Sequence, residues 1–418
     1  MIPTNPKILI AGLNYSPEPS GNAPYISGLA TGLSDKGYRV SVLTGYPHYP
    51  EWRRRPGYKG WSISEAIGGV SVRRLNHLVP ARPRSFARLG MELSFGLRLA
   101  FARWGPQSAV ILVSPALFAT GIALLRARMA PAKPPVLIWV HDLYSLGITE
   151  TGTSGSAVSK VMEWVESKIL RSADRVVVVH ERFRHYVTGQ LGVDPDRVEV
   201  VRNWTHLKPF NLEDRAASRA SFGWSPDDVV VLHAGNMGAK QGLENVVEAA
   251  RVASREGSAV RFVLVGDGNQ RSRLEQLAQG VGQIEFVDSL PGNRFQEALA
   301  AADVLLVNEL PGVREMSVPS KLTSYFSSGV PILAATDKDS VTAEEIATAQ
   351  AGMRVAAGSP VDLVRGAEAM AADKEQGLRF AENGRRFMET TLSEEHAVAK
   401  YGSYLMHLTA HHQKERIK

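Results

Sequence analysis

The chain of 418 residues has no cysteine. Disulfides, thiolate metal sites and cysteine nucleophiles are therefore excluded, and a reducing compartment is the fitting environment. It also lacks a G-x-G-x-x-G loop. The loop after the first predicted strand carries only Gly21 before its helix, and Gly266-Asp267-Gly268 is followed by Arg271 where the third glycine would stand. Hydride chemistry on a dinucleotide is thus disfavoured. No Walker-type phosphate loop is present, which argues against ATP or GTP hydrolysis. The histidines lack metal-ligand spacing, and the opening apolar run, Ile8 to Leu13, is too brief for a secretory signal. Long hydrophobic runs are scarce as well. Ser108 to Leu125 carries no charge over 18 residues, but Pro115 divides it. The expectation is a strand (Val110 to Val113), a turn and a helix, not a membrane span.

What is present describes two ordinary α/β domains, with 44% hydrophobic and 22% charged residues. The net charge of +6 is unevenly spread: residues 1–205 hold 25 Lys and Arg against 14 Asp and Glu, and the rest hold 23 against 28. A basic first half would suit nucleic acid, but no nucleic-acid motif accompanies it. An anionic membrane surface or a phosphorylated acceptor fits that charge. The segment Arg82 to Arg103 mixes apolar residues with five arginines and a single acid, Glu92. It reads either as a basic amphipathic helix lying on anionic lipid or as a core helix with snorkelling arginines.

Along the chain, strand Lys7 to Ala11, a loop, helix Ala23 to Lys36 and strand Arg39 to Thr44 form a doubly wound β-loop-α-β opening. A hairpin-like piece (Val70 to Leu75) follows. Strands Val136 to Val140 and Arg175 to Val179 end in His141-Asp142 and His180-Glu181-Arg182, at the edge where open sheets hold ligands. A polar connection leads to a second series of strands and helices from Val229 to about Thr391. The last helix, Glu394 to His412, has apolar residues at helical spacing.

Two stretches of the second half carry phosphate chemistry. In AGNMGAKQG, residues 234–242, Gly235 and Gly238 let the backbone approach a ligand, and Lys240 supplies a cation. In VPSKLTS, residues 318–324, Pro319 opens a helix, Lys321 stands at its start, Gly329 caps its end and Pro331 forbids continuation. Either lysine could equally be a solvated charge, with Ser320 an ordinary cap.

The order of these pieces resembles the family 4 glycosyltransferases, of the kind that assemble bacterial exopolysaccharides such as colanic acid. The residues that carry the likeness are LNYSPEPSGNAPY, YPHYPEW, His141-Asp142, Asn203-Trp204, GNMGAKQGLENVVEAA, VGDGNQRSRLE and VPSKLTSYFSSGVPIL. The resemblance implies the GT-B fold: two doubly wound Rossmann-like α/β domains facing across a cleft, with a C-terminal helix crossing back. The expected domains are 1–205 for the acceptor, 206–393 for the donor, and a helix 394–418 packing across them. It further implies retaining transfer from a nucleotide-diphosphate sugar to a glycan or lipid-linked acceptor. No cofactor, metal or nucleic acid is expected, and the location is cytoplasmic, peripheral on the inner membrane face through Arg82 to Arg103.

The catalytic candidates are His141, Asp142 and Lys240. Donor-binding candidates are Gly21, Asn236, Gly238, Lys240, Glu315, Ser320, Lys321 and Ser324. The chain departs from the family pattern at the paired glutamates, which become Met316 and Ser324, and at the G-R-L loop, which becomes Gly235-Asn236-Met237. Gln241 displaces the usual lysine and leaves Lys240 as the cation. A nucleotide-sugar epimerase of the same architecture and a non-catalytic donor-binding scaffold are the competing readings.

Overall fold

The computed structural model describes residues 5–19, 21–81, 85–148, 157–204, 214–312 and 321–417. The chain forms two compact units, residues 1–204 with 394–418, and residues 205–393.

The first unit holds β1 (Lys7–Ala11), β2 (Arg39–Gly45), β3 (Ser62–Ile67), β4 (Val70–Leu75), β5 (Ala109–Ser114), β6 (Val136–Val140), β7 (Arg175–Val178) and β8 (Val198–Val200). Their order in the sheet is β3-β4-β2-β1-β5-β6-β7-β8. All neighbours are parallel except β3 and β4. β5 and β6 are buried along their whole length, which is why AVILVS and VLIWV are unbroken apolar runs: a parallel strand is covered on both faces. The uncharged segment Ser108 to Leu125 is β5 running into helix Leu117–Met129. No helix among the described residues is long and apolar enough to cross a membrane. β3 and β4 meet through Gly68 and Gly69, both at positive φ, as a two-residue hairpin turn matched to strand twist requires.

Helix Glu394–Ile417 closes this unit by packing on helix Ala23–Asp35. Two glycines one turn apart make room. A Cβ on Gly28 would lie 2.9 Å from the Glu394 carboxylate, and one on Gly32 would lie 2.6 Å from Val398. Tyr401 reaches the Trp139 ring of β6 at 5.0 Å. The helix expected to pack across the two domains is grouped with the first unit.

Helix Ser85–Phe101 divides the two readings of Arg82 to Arg103 between its faces. Met91, Phe95 and Leu99 are buried, and Gly96 lets the helix approach Ala119 and Ile122 closely. Phe86, Leu93, Leu97 and Phe101 form an exposed stripe on the opposite side, Phe86 and Phe101 at 89% and 86%. The Arg98 guanidinium is not a free charge: it lies 3.4 Å from the Trp61 ring centroid and donates to the Trp61 carbonyl.

The second unit holds β9 (Val229–Ala234), β10 (Val260–Val265), β11 (Ile284–Val287), β12 (Val304–Asn308), β13 (Ile332–Ala335) and β14 (Gly352–Val355). The sheet is parallel throughout, in the order β11-β10-β9-β12-β13-β14. The chain winds outward from β9 to β11, then crosses to β12 on the other side. This reversal opens a crevice between the carboxyl ends of β9 and β12.

Candidate functional site

The crevice of the second unit gathers three segments. β9 carries His233, fully buried, as its penultimate residue and passes into Gly235 at φ 129. Met237 donates its N–H to the Asp267 carbonyl at 2.8 Å and accepts from Gln270 N at 3.0 Å. The loop after β9 is therefore fastened to the loop after β10, and it is glycine at 235, 266 and 268 that permits this approach. From β12, Asn308 Nδ2 donates to the carbonyls of Gln241 and Gly242 at 2.7 and 3.0 Å, while its Oδ1 accepts from Asn245. Leu310 N donates to the Lys240 carbonyl at 2.9 Å.

Helix Lys321–Ser328 lies between β12 and β13 in the chain. Its first residue, Lys321, places Nζ 3.3 Å from His233 Nε2. The same ammonium would be 3.8 Å from a Cβ on Gly235. Burial, with Lys321 adding to it, holds the His233 imidazole far below its ordinary pKa, so a neutral ring accepts from the lysine. One turn on, Tyr325 accepts from Ala234 N at 2.8 Å and donates to the Leu306 carbonyl at 3.2 Å, fixing the helix to both strands. Gly329 ends the helix at φ 69, as expected of its cap.

Several predicted positions meet here. Lys321, Asn236 and Gly238 share the crevice, and Gly238 N donates to Gln241 Oε1 at 3.1 Å. Lys240 is exposed in a short 3-10 helix, Ala239–Gln241. Ser324 is partly exposed one turn after Lys321, and its carbonyl accepts from Ser327. Glu315, Met316 and Ser320 lie outside the described residues. Gly21 belongs to the first unit, where it is a loop glycine at φ 68 beside the Tyr49 ring.

At the first unit's strand ends, His141 packs 4.3 Å from the Trp139 ring and 5.9 Å from that of Tyr25. Burial pushes its pKa down to about 3, so the imidazole is neutral at pH 7, and its buried Nε2 has no hydrogen-bond partner among the described residues. Asp142 accepts from Leu143 N at 2.9 Å. Burial raises its pKa, and Arg88 partly opposes that. Just beyond, Glu166 accepts from Tyr144 N and Ser145 N at 2.9 and 3.0 Å. Glu92 accepts from Phe118 N at 3.1 Å and meets the Tyr144 hydroxyl.

Sequence reasoning missed three residues that shape these edges: His233, Asn308 and Glu18. Glu18, buried, accepts from Tyr15 N, His48 N, Tyr49 N and the Asn14 amide, and so joins the loops after β1 and β2. A lone buried carboxylate between two Gly/Pro-rich loops was the only signal it could have left.

The pattern of the glycosyl transferase 4-like domain matches residues 20–204, and that of the glycosyl transferases group 1 matches residues 214–387. The chain is 31% identical over 337 residues to the putative colanic acid biosynthesis glycosyl transferase WcaI of Escherichia coli (strain K12), covering 77% of this chain and 81% of that protein. Among solved structures it is similar to sucrose-phosphate synthase from Thermosynechococcus elongatus, with TM-score 0.69, 18% identity, and 97% and 100% of the two chains covered. It is also similar to Anabaena Alr3699/HepE, solved in complex with UDP, with TM-score 0.67, 15% identity, and 96% and 99% covered. With two parallel-sheet Rossmann-like units and this relative, the chain belongs to the family 4 glycosyltransferases of the GT-B fold.

Proposed function

We propose that the protein transfers a sugar from a nucleotide-diphosphate sugar to a glycan or lipid-linked acceptor in the assembly of a bacterial exopolysaccharide or other envelope glycan, with retention of configuration. The observation that carries this reading is Lys321, held by His233 over the glycine loop at the β9/β12 crevice. In the reaction the bond from the sugar's anomeric carbon to the diphosphate oxygen breaks, and a bond to the acceptor oxygen forms. The acceptor's proton leaves with the diphosphate. Lys321 and Lys240 offset the charge that grows on that diphosphate, an effect that counts most where water is excluded. His141, neutral, orients the sugar or acceptor hydroxyl, with Asp142 beside it. The nucleotide sugar is a substrate, and the reading requires no resident metal or cofactor.

The printed name of the Escherichia coli relative supports the polysaccharide assignment, and the UDP complex of HepE supports a nucleotide donor. The protein acts on the cytoplasmic side, held at the membrane by the exposed stripe of helix Ser85–Phe101. Titration with UDP and a panel of nucleotide sugars, followed by turnover with glycan acceptors, tests the reading. Conversion of a donor to its epimer without acceptor would favour the epimerase. Donor binding without turnover on any acceptor would favour the scaffold, a reading that Ser324, in place of a carboxylate, keeps in view.

A further inference from the structure

Beside the loop after β2 lies an open, shallow pocket of ≈ 340 Å³ lined by Trp52, Arg53, Arg54, Val79 and Ala81. It lies at the carboxyl edge of the first unit's sheet, the edge that also carries His141. Trp52 stands in the left-handed region at φ 51, a conformation that a bulky side chain adopts only where its surroundings impose it. The surroundings are visible. Arg53 N donates to the His48 carbonyl at 3.2 Å and Arg55 N to the Pro47 carbonyl at 2.9 Å, closing the turn around the indole. At the turn's base, His48 N and Tyr49 N both donate to buried Glu18 Oε1 at 2.8 Å.

The indole is flanked edge-on by the rings of Tyr49 and His48, with centroids at 5.9 and 6.0 Å. The Arg88 guanidinium lies 5.7 Å from its centroid. Arg54 is spent on the wall, stacked on Tyr46 and donating to Asn76 Oδ1 at 2.8 Å. Arg53 is exposed at the rim. The loop's acid, Glu51, is turned to Arg55 at 3.9 Å. The result is an indole with the Arg88 guanidinium over its ring and Arg53 at the rim of the pocket that Trp52 helps to line. An indole packs against the C–H face of a sugar ring, and guanidinium forks pair with carboxylate or phosphate oxygens.

We propose that this open pocket is an acceptor subsite in which Trp52 stacks on a sugar ring while Arg53 and Arg88 bind an anionic group that the sugar carries. The inference rests on the glycosyl-transfer reading above and names the chemical class of its acceptor. The anionic group is a uronic carboxylate or a phosphate ester; the guanidinium pair accepts either, and the test separates them.

Binding is measured without donor, by saturation-transfer NMR and calorimetry on the full chain. The probes are glucuronic acid, glucose 1-phosphate and neutral methyl glucoside. At least one charged probe is expected to bind about tenfold more tightly than the neutral sugar, with R53Q/R88Q abolishing the difference. W52L is expected to weaken every probe that binds. In the unaltered protein the preference should shrink as salt is raised, since the guanidinium groups are solvent-facing. Preference for glucuronate alone identifies a uronic acid; preference for the phosphate alone identifies a phosphorylated or lipid-diphosphate acceptor. No preference, a preference that survives R53Q/R88Q, or one indifferent to salt overturns the subsite. UDP titration of the same samples keeps the two readings apart. UDP binding without any sugar preference sinks the subsite alone, and sugar preference without UDP binding sinks the donor reading alone.

Discussion

The indole nitrogen of Trp204 donates to Glu394 Oε2 at 3.1 Å, joining the residue at which the chain leaves the first unit to the one at which it returns. The Glu394 carboxylate also fills the space left by Gly28, and Val398 fills that left by Gly32. Gly32→Ala should therefore cost about 1–3 kcal/mol through overpacking, and Val398→Ala in that background should recover part of the loss. Thermal or denaturant unfolding of the single and double variants checks this. A G32A/V398A protein no more stable than G32A would mean that the final helix is held by other contacts.

Removing the crevice cation should weaken the donor, not the fold. Lys321→Ala is expected to lower UDP affinity about tenfold or more, by the loss of a charge-assisted hydrogen bond. Lys240→Ala, in the exposed 3-10 helix, should act more mildly on affinity and more on turnover. Calorimetry with UDP and melting curves separate the two effects. Unchanged affinity in K321A would place the diphosphate elsewhere.

The pH dependence of stability has a specific sign. Burial raises the pKa of Glu92 to about 7 and that of Glu166 to about 7. The folded state thus holds protons that the unfolded chain releases near the ordinary value of 4.5. Their stabilising contribution is complete below that ordinary value and is lost as pH rises through about 7. His141 and His77, both pushed down to about 3, work the other way. Their contribution is complete above the ordinary 6.5 and is lost as pH falls from there toward 3. Glu92→Gln keeps an acceptor for Phe118 N and a polar partner for the Tyr144 hydroxyl. It should match the wild type at about pH 5 and exceed it at about pH 8, by on the order of 3 kcal/mol. Parallel stability curves for E92Q and wild type across that range would show that Glu92 ionises normally.

Membrane attachment should depend on the apolar stripe more than on the arginines. With Arg98 stacked on Trp61 and Arg88 turned to Trp52, the outward face of helix Ser85–Phe101 offers Phe86, Leu93, Leu97 and Phe101. Leu97→Gln with Phe101→Gln should release the protein from anionic vesicles in co-sedimentation and leave UDP binding intact, because buried apolar area drives such insertion. Vesicle binding equal to that of the wild type would assign the stripe to another role.

The strands buried on both faces were legible from their runs of Val, Ile and Leu, as in β5, β6, β9 and β12. β3 was not, because SISEAI lies at a sheet edge and buries none of its residues fully. Nor was β14, GMRV, which is likewise only partly covered. At the site, Lys321, Asn236 and Gly238 could be read from glycine and proline punctuation, which local backbone geometry dictates. His233 could not. Inside VVVLHA it looks like one more core residue, and its meaning comes from Lys321, 88 positions away. Gly21 is legible as a turn and no more: a left-handed glycine before a helix signals a tight turn, whatever the turn faces.

Because Glu394–Ile417 belongs to the first unit, a ribosome that has translated residues 1–204 has not yet supplied the helix that fills the hollows at Gly28 and Gly32. The second unit, one uninterrupted stretch, has all its strands before that helix emerges. The usual N-to-C order of domain folding during synthesis is thereby inverted here: the half that begins first is completed last.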